Sequence, residues 1–191
     1  MSNFLSSLKA SIKTGKIRRA KEILSTLKDC HSTEKEEALE QIALASDKTA
    51  FELLSFLTDA ENQDPEIHDR LIQLTIDRAH LNFKFILILF DTPDTAILQH
   101  ITPLLKHILS NETDKNLLSR ILRTAGKRKL KKLVDDLAEF IFYDDVHLKL
   151  DAVNALERIG TPEALEKLVQ SSRTEKCDQD ILDAIQVLRN N

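Results

Sequence analysis

Histidine and cysteine are the residues of this chain that could ligate a metal or act as a nucleophile, and their spacing argues against both roles. The six histidines are His31, His68, His80, His100, His107 and His147. No two stand four residues apart, the spacing that brings two ligands onto one helix face. Cys30 directly precedes His31, and sequence neighbours usually point apart. We therefore predict no catalytic residue, no metal site and no cofactor.

Basic residues, by contrast, are concentrated. Between positions 115 and 134 the chain has eight bases and no acid: Lys115, Arg120, Arg123, Lys127, Arg128, Lys129, Lys131 and Lys132. A second cluster follows Gly15 and consists of Lys16, Arg18, Arg19 and Lys21. Clusters of this kind attract acidic protein segments, phosphate groups or nucleic acid.

Both clusters are predicted to open a helix, one after Gly15 and one after Gly126. Exposed positive charge at a helix N-terminus opposes the helix dipole by about 0.3–1 kcal/mol per charge. Either acids of neighbouring repeats, such as Glu163 and Glu166, neutralise the bases, or the bases form a docking patch. The partner-binding residues predicted on the second interpretation are Lys127, Arg128, Lys129, Lys131, Lys132, Lys16, Arg18 and Arg19.

Composition indicates an ordinary soluble protein. The formal net charge is −4, with 30% charged and 42% apolar residues. The longest apolar run, residues 85–90, is far shorter than the roughly 20 residues that span a bilayer. The N-terminus shows no export signal, and Cys30 and Cys177 are too far apart to be expected to pair. We expect a cytoplasmic monomer without membrane association.

The elements that must position these residues are predicted to be helices. The chain has only three glycines, Gly15, Gly126 and Gly160, and each follows a helical pattern, where a left-handed residue ends a helix. Start signals are Thr33 with Glu36, and the triplets Asp64-Pro65-Glu66, Thr92-Pro93-Asp94 and Thr161-Pro162-Glu163. These signals predict helices at about 2–13, 16–28, 33–45, 48–60, 65–78, 81–91, 94–109, 114–125, 127–142, 145–159, 162–172 and 177–189.

Self-alignment indicates that the helices form repeats. Shifting residues 148–168 back by 114 places Lys149 on Lys35 and Ala152 on Ala38. A shift of 34 places Lys149 on Lys115 and Gly160 on Gly126. We predict one repeat domain over residues 1–191. An irregular stretch is expected around residues 92–112, because a proline inside a helix, Pro103, costs about 3 kcal/mol.

The repeat unit resembles the HEAT-like repeats of the armadillo superfamily, especially the short bacterial type of phycobilisome-lyase-like proteins. The resemblance rests on Leu148-Lys149, Ala152-Val153, Ala155-Leu156, Ile159-Gly160, Ala164 and Leu168. It implies an all-α solenoid of antiparallel helix pairs that usually binds proteins. It also implies that the basic residue at Lys149, Lys35 and Lys115 pairs with acids of neighbouring repeats, and it implies no catalytic residues.

Three functions fit this sequence. The first is a non-enzymatic scaffold or adaptor that binds a protein partner, which could present an acidic or phosphorylated segment. The second is a nucleic-acid-binding repeat protein that uses the basic edge; the net charge of −4 and the absence of tryptophan argue against it. The third, from resemblance alone, is a lyase or chaperone for a tetrapyrrole. A further question is whether the aromatic cluster at residues 140–143 belongs to the core or anchors a partner.

Overall fold

A computed structural model describes residues 3–59, 64–90, 97–98, 101–173 and 179–189. Residues 97–98 are helical, and the other described ranges form twelve α-helices and four 3-10 helices; none of the described residues belongs to a β-strand. The chain divides into two compact units, Met1–Pro93 and Asp94–Asn191, which are described separately below. That one repeat domain covers residues 1–191 stays a prediction.

The first unit consists of helical hairpins. Its α-helices are α1 (Asn3–Lys13), α2 (Ile17–Leu24), α3 (Ser32–Ala43), α4 (Asp47–Thr58), α5 (His68–Leu81) and α6 (Ile86–Phe90). Helix α1 packs on α3, while α2 packs on α4 and α4 on α6, so that alternate helices form two layers. Leu8, Ile42, Leu53 and Leu54 are fully buried between them. The apolar run at 85–90 is helical, as predicted.

The second unit repeats this organisation. Its helices are α7 (Thr102–Asn111), α8 (Lys115–Lys127), α9 (Val134–Glu139), α10 (Val146–Ile159), α11 (Pro162–Ser172) and α12 (Gln179–Arg189). Helices α8, α10 and α12 pack side by side in one layer, and α7, α9 and α11 in the other. Pro103 lies in the first turn of α7, where its missing N–H is not needed. The predicted start at Thr92-Pro93-Asp94 lies outside the described residues.

The glycines confirm two of the three predicted turns and correct the third. Gly15 and Gly160 both have φ 67°, the left-handed conformation that ends α1 and α10. Gly126 lies inside α8, one residue before its last, and faces α10. A Cβ at Gly126 would lie 2.6 Å from the Cα of Ala155. This glycine therefore allows two helices to approach closely, and the residue that turns the chain is Lys129, with φ 52°.

This correction also changes the repeat length. The N-caps Asp114 and Asp145 each accept hydrogen bonds from the second and third backbone N–H groups of the next helix, and they are 31 residues apart. Lys129 and Gly160 have the same separation. The shift of 34, which placed Lys149 on Lys115, was therefore wrong. The shift of 114 is supported, because it places the turn residue Gly15 on Lys129.

Two predicted helix starts in the first unit were also misplaced. Helix α3 begins at Ser32, and the backbone N–H of His31 donates to Glu34 at 3.4 Å, so Thr33 and Glu36 do not form the capping pair. Helix α5 begins at His68 rather than beside Pro65. The two acids flanking Pro65 are instead engaged by a lysine of α3, as described below.

Candidate interaction surface

The basic segment, defined as residues 127–132, is a tight helix-ending turn. The backbone N–H of Leu130 donates to Ala125 O at 3.0 Å, and that of Lys129 donates to Gly126 O at 3.1 Å. This pair of bonds defines a Schellman motif with its left-handed residue at Lys129. Leu130 is buried, as is Leu133 just beyond the segment. The turn is thus fixed to the core by its leucines.

The five basic side chains of this segment stand around that fixed backbone. Lys127, Lys129, Lys131 and Lys132 are exposed, and Arg128 is half-buried. None of the four lysines forms an ion pair with any residue in the described ranges. Four positive charges therefore lie close together on a short stretch of ordered backbone.

The prediction that these bases open a helix was wrong for Lys127, Arg128 and Lys129, whereas Lys131 and Lys132 open a 3-10 helix that continues into α9. Lys127 is the last residue of α8 and Arg128 is its C-cap, so both stand where a helix dipole favours positive charge. The first turn of the following helix, α9, contains Asp135 and Asp136, which suit its N-terminus. Only Lys131 and Lys132 precede α9 closely enough to oppose its dipole.

Nearby acids are held by other lysines. Asp135 pairs with Lys167 at 2.7 Å, and Asp136 pairs with Lys106 at 3.0 Å. The hydrogen bond from Lys167 lowers the pKa of Asp135. These acids are thus already partnered, so they do not neutralise the basic segment.

The two acids predicted to neutralise the segment do so weakly at most. The pKa of Glu163 is lowered chiefly by its own backbone N–H and by the Thr161 hydroxyl, with Lys131 as the smallest contribution. Glu166 accepts a hydrogen bond from Gln170 at 3.2 Å. Neither acid lies within ion-pair distance of the four lysines.

The first cluster, in the other unit, is partly neutralised. Arg18 and Arg19 both reach Glu22 on the same helix, at 3.6 and 3.2 Å, and Lys21 pairs with Glu52 at 2.8 Å. Lys16 is the exposed N-cap of α2. The first turn of this helix contains no acid, so the predicted conflict with the dipole is present here. Because its arginines have local partners, this cluster is the weaker candidate.

A buried ion cluster shows how the repeats are joined in the first unit. Lys35 Nζ lies 2.8 Å from Asp64 and 2.6 Å from Glu66, and its side chain is only 6% exposed. Burial works against the charged form of Asp64. Hydrogen bonds from the Lys35 ammonium and the Glu66 backbone N–H nevertheless hold the pKa of Asp64 below its usual range. The hydrogen bonds that the ammonium donates to the carboxylates of Asp64 and Glu66 raise the pKa of Lys35.

The resemblance therefore described Lys35 correctly, because it pairs with acids in the turn that precedes α5, in the next repeat. Lys115 also pairs across repeats, at 2.7 Å with Asp145, but it does so from the first residue of its helix. It is thus not the equivalent of Lys35 and Lys149, which occupy the fourth position. For Lys149 the expected pairing stays a prediction.

The aromatic cluster at residues 140–143 divides between core and surface. Phe140 is buried, whereas Phe142 and Tyr143 are 56% and 46% exposed. Two apolar residues of α10, Val146 and Leu150, are exposed as well. Sequence periodicity did not identify these exposed residues, because they lie on either side of the junction between a 3-10 helix and the next α-helix.

Metal sites and membrane spans are not found among the described residues. Within the described ranges, no group of three or more His, Cys, Asp or Glu side chains is arranged to hold a metal ion. Nor is any helix of those ranges both long and apolar enough to cross a bilayer. Cys30 is half-exposed, and burial followed by the carboxylates of Glu34 and Asp29 raises the pKa of its thiol. A raised thiol pKa disfavours nucleophilic chemistry.

Comparison with known families agrees with this geometry. Residues 102–189 match the model of the family described as HEAT repeats. No curated protein and no solved structure is significantly similar to the chain. Residues 102–189 are therefore HEAT-like repeats, and the prediction of an all-α, HEAT-like fold is confirmed. HEAT repeats generally mediate protein interactions.

Proposed function

We propose that this protein is a non-enzymatic scaffold or adaptor whose basic segment, residues 127–132, binds an acidic segment of a protein partner. The observation that carries the proposal is the set of four exposed lysines without an ion pair to any described residue, beside acids that are already partnered. Unsatisfied positive charge on ordered backbone attracts carboxylate or phosphate groups at little cost in conformational entropy.

The conformation of Lys129 supports a binding role. A non-glycine residue in the left-handed region costs about 1–2 kcal/mol. Glycine occupies the equivalent turn positions at Gly15 and Gly160 without that cost. Residues that keep such strain are enriched at functional sites. A lysine at this strained position therefore indicates a role in binding, because glycine would be more favourable for stability alone.

The test reverses the charge of Lys131 and Lys132, which precede α9 and do not support a helix terminus. The Lys131→Glu, Lys132→Glu double variant should keep the melting temperature unchanged or raise it slightly, because acids suit the N-terminus of α9. Binding of a fluorescent glutamate-rich peptide, measured by anisotropy, should be lost. Wild-type binding should weaken as salt rises, because exposed charges are screened.

A matched control is the Lys9→Glu, Lys48→Glu double variant in the first unit, which makes the same change in net charge. Both lysines are exposed on helices α1 and α4. The control should bind the peptide as the wild type does. Equal loss in both variants would mean that net charge alone attracts the peptide and would contradict the proposal. Tighter binding of a DNA duplex than of the peptide would favour nucleic acid as the ligand instead.

A further inference from the structure

A groove lies between α8 and α10, next to the basic segment and within the same unit. It has a volume of about 450 Å³. The lining residues that matter for its chemistry are Lys115, Ser119, Arg123, Asp145, Leu150 and Asp151. The groove therefore combines charged residues with an exposed leucine.

The acids of the groove are already engaged, although only one of them is neutralised by a base. Asp145 pairs with Lys115 at 2.7 Å, and Asp151 accepts a hydrogen bond from the Ser119 hydroxyl. Arg123 is exposed and has no ion pair with any residue of the described ranges. An incoming carboxylate would thus meet a guanidinium that is not already bound to an acid, and guanidinium groups can hold carboxylates in bidentate fashion.

The groove is continuous with the basic segment along α8. Arg123 and Lys127 are four residues apart on one exposed helix face, so their side chains are neighbours. On α10, Leu150 is 38% exposed and adjoins Asp151, which bonds to Ser119 one turn before Arg123. Cationic and apolar contacts are therefore offered side by side along one surface.

We propose that this groove binds an extended peptide that carries acidic residues at one end and an apolar residue at the other. The acids contact the basic segment and Arg123, and the apolar side chain packs on Leu150. This inference rests on the proposed function, since it names the form of the acidic partner. It also specifies the order of the acidic and apolar residues in the peptide, which charge attraction alone would not do.

The dimensions fix the spacing within that peptide. Residues 119–127 of α8, from the level of Leu150 to the basic segment, extend over about 12 Å at 1.5 Å per residue. An extended chain covers this distance in about four residues at roughly 3.3 Å each. The apolar residue is therefore expected about three or four positions from the acidic cluster, in one direction only.

The experiment is a selection of random, phage-displayed peptides of about twelve residues on the whole wild-type chain. Enriched peptides should share an acidic cluster and an apolar residue at the stated spacing and in one order. Enrichment of acidic peptides without a positioned apolar residue would overturn the inference. So would the absence of any enriched peptide.

Two sets of variants separate this inference from the proposed function. Arg123→Gln and Leu150→Ser should each weaken a selected peptide by about tenfold or more, and Leu150→Ser should abolish the preference for the apolar residue. The controls Arg173→Gln and Leu182→Ser change exposed residues that do not line the groove. They should leave binding unchanged.

The outcomes are distinguishable. If the Lys131→Glu, Lys132→Glu variant loses the peptide while Arg123→Gln and Leu150→Ser bind normally, the basic segment is the site and the groove is not used. If the double variant still binds the peptide, the proposed function is wrong as well. Each variant is first checked for an unchanged helix content by circular dichroism, so that loss of binding is not loss of fold.

Discussion

The turn at residues 13–17 and the turn at residues 127–131 have the same backbone hydrogen bonds but different residues at the left-handed position. In both, the backbone N–H of the residue after that position donates to the carbonyl five residues earlier. The next backbone N–H donates to the carbonyl of the left-handed residue itself. The first turn uses Gly15, with open space around it, and the second uses Lys129. Because glycine forms the same turn in the first unit, the lysine in the second turn costs free energy that the turn geometry does not require.

The helices that enter these turns differ as well. In the first unit, the position 114 residues before Gly126 is Ile12, a half-buried side chain. In the second unit this position is a glycine that lets α8 approach Ala155. The equivalent positions of the two units are therefore packed differently: one carries a half-buried side chain, and the other allows two helices to approach closely. Substitutions in the two units can test this comparison.

The largest effect is expected at the buried ion cluster of the first unit. Lys35→Met leaves the buried carboxylate of Asp64 without its cation, so we expect a large fall in melting temperature. Lys149→Met, at the equivalent but half-exposed position, should cost less, because water reaches that site. Equal losses in thermal denaturation would show that burial does not distinguish the two units.

The effect of Lys35→Met should also depend on pH. The pKa values of Asp64 and Glu66 are lowered in the folded protein, so their contribution is present above the pKa values of the unfolded chain, about 4. It is lost as the pH falls through the lower, folded values. The difference between wild type and variant should therefore shrink on acidification below about pH 4. A difference that stays constant down to pH 2 would contradict an ionic origin.

The second effect concerns the close approach at Gly126. Gly126→Val should lower the free energy of unfolding by about 2–3 kcal/mol, because the opposing atom belongs to the backbone of Ala155 and cannot rotate away. Arg123→Val, on the exposed face of the same helix, should change it by only a few tenths. Urea denaturation measures both. A neutral Gly126→Val would mean that α8 and α10 can separate freely.

The third pair of changes exchanges the turn residues. Gly15→Ala should cost about 1–2 kcal/mol, which is a backbone effect alone because nothing lies near the new methyl group. Lys129→Gly should stabilise by about 0.5–1 kcal/mol, since the relieved strain exceeds the added entropy of the unfolded chain. The same Lys129→Gly variant should bind the acidic peptide less tightly. If Lys129→Gly stabilises the protein but leaves peptide binding unchanged, the backbone strain at residue 129 has no role in binding.

Helix content and the order of helices could be read from the sequence, since capping residues and apolar periodicity are local signals. Asp145 and Thr161 each cap the helix that they precede, as such residues do. The turn at Lys129 could not be read, because glycine was the only signal for a left-handed residue and a glycine stood three positions away. Gly126 serves a tertiary contact that no local pattern encodes.

The sequence identified the basic cluster of the candidate site, but the prediction of the acids and helix ends around it was wrong. Eight bases without an acid are visible in the sequence, and so is their proximity to Asp135 and Asp136. Which lysines hold those acids depends on contacts between elements about 30 residues apart, as Lys106 with Asp136 shows. The groove beside Leu150 likewise requires two helices to lie side by side, and this was not predictable from either helix alone.

The smallest expected effect concerns the two ends of the basic segment. One end lies at the C-terminus of α8 and the other before the N-terminus of α9, so the same charge reversal should change stability with opposite signs. Lys127→Glu places a negative charge at the C-terminus of α8 and should destabilise by about 0.3–1 kcal/mol. Lys131→Glu places the same charge before α9 and should be neutral or stabilising by a similar amount. Both variants change the net charge equally, so a general effect of charge would give the same sign. Denaturation at low salt should show opposite signs that converge as salt is added, because exposed charges are screened. Equal signs at low salt would mean that the segment is not divided between two helix ends.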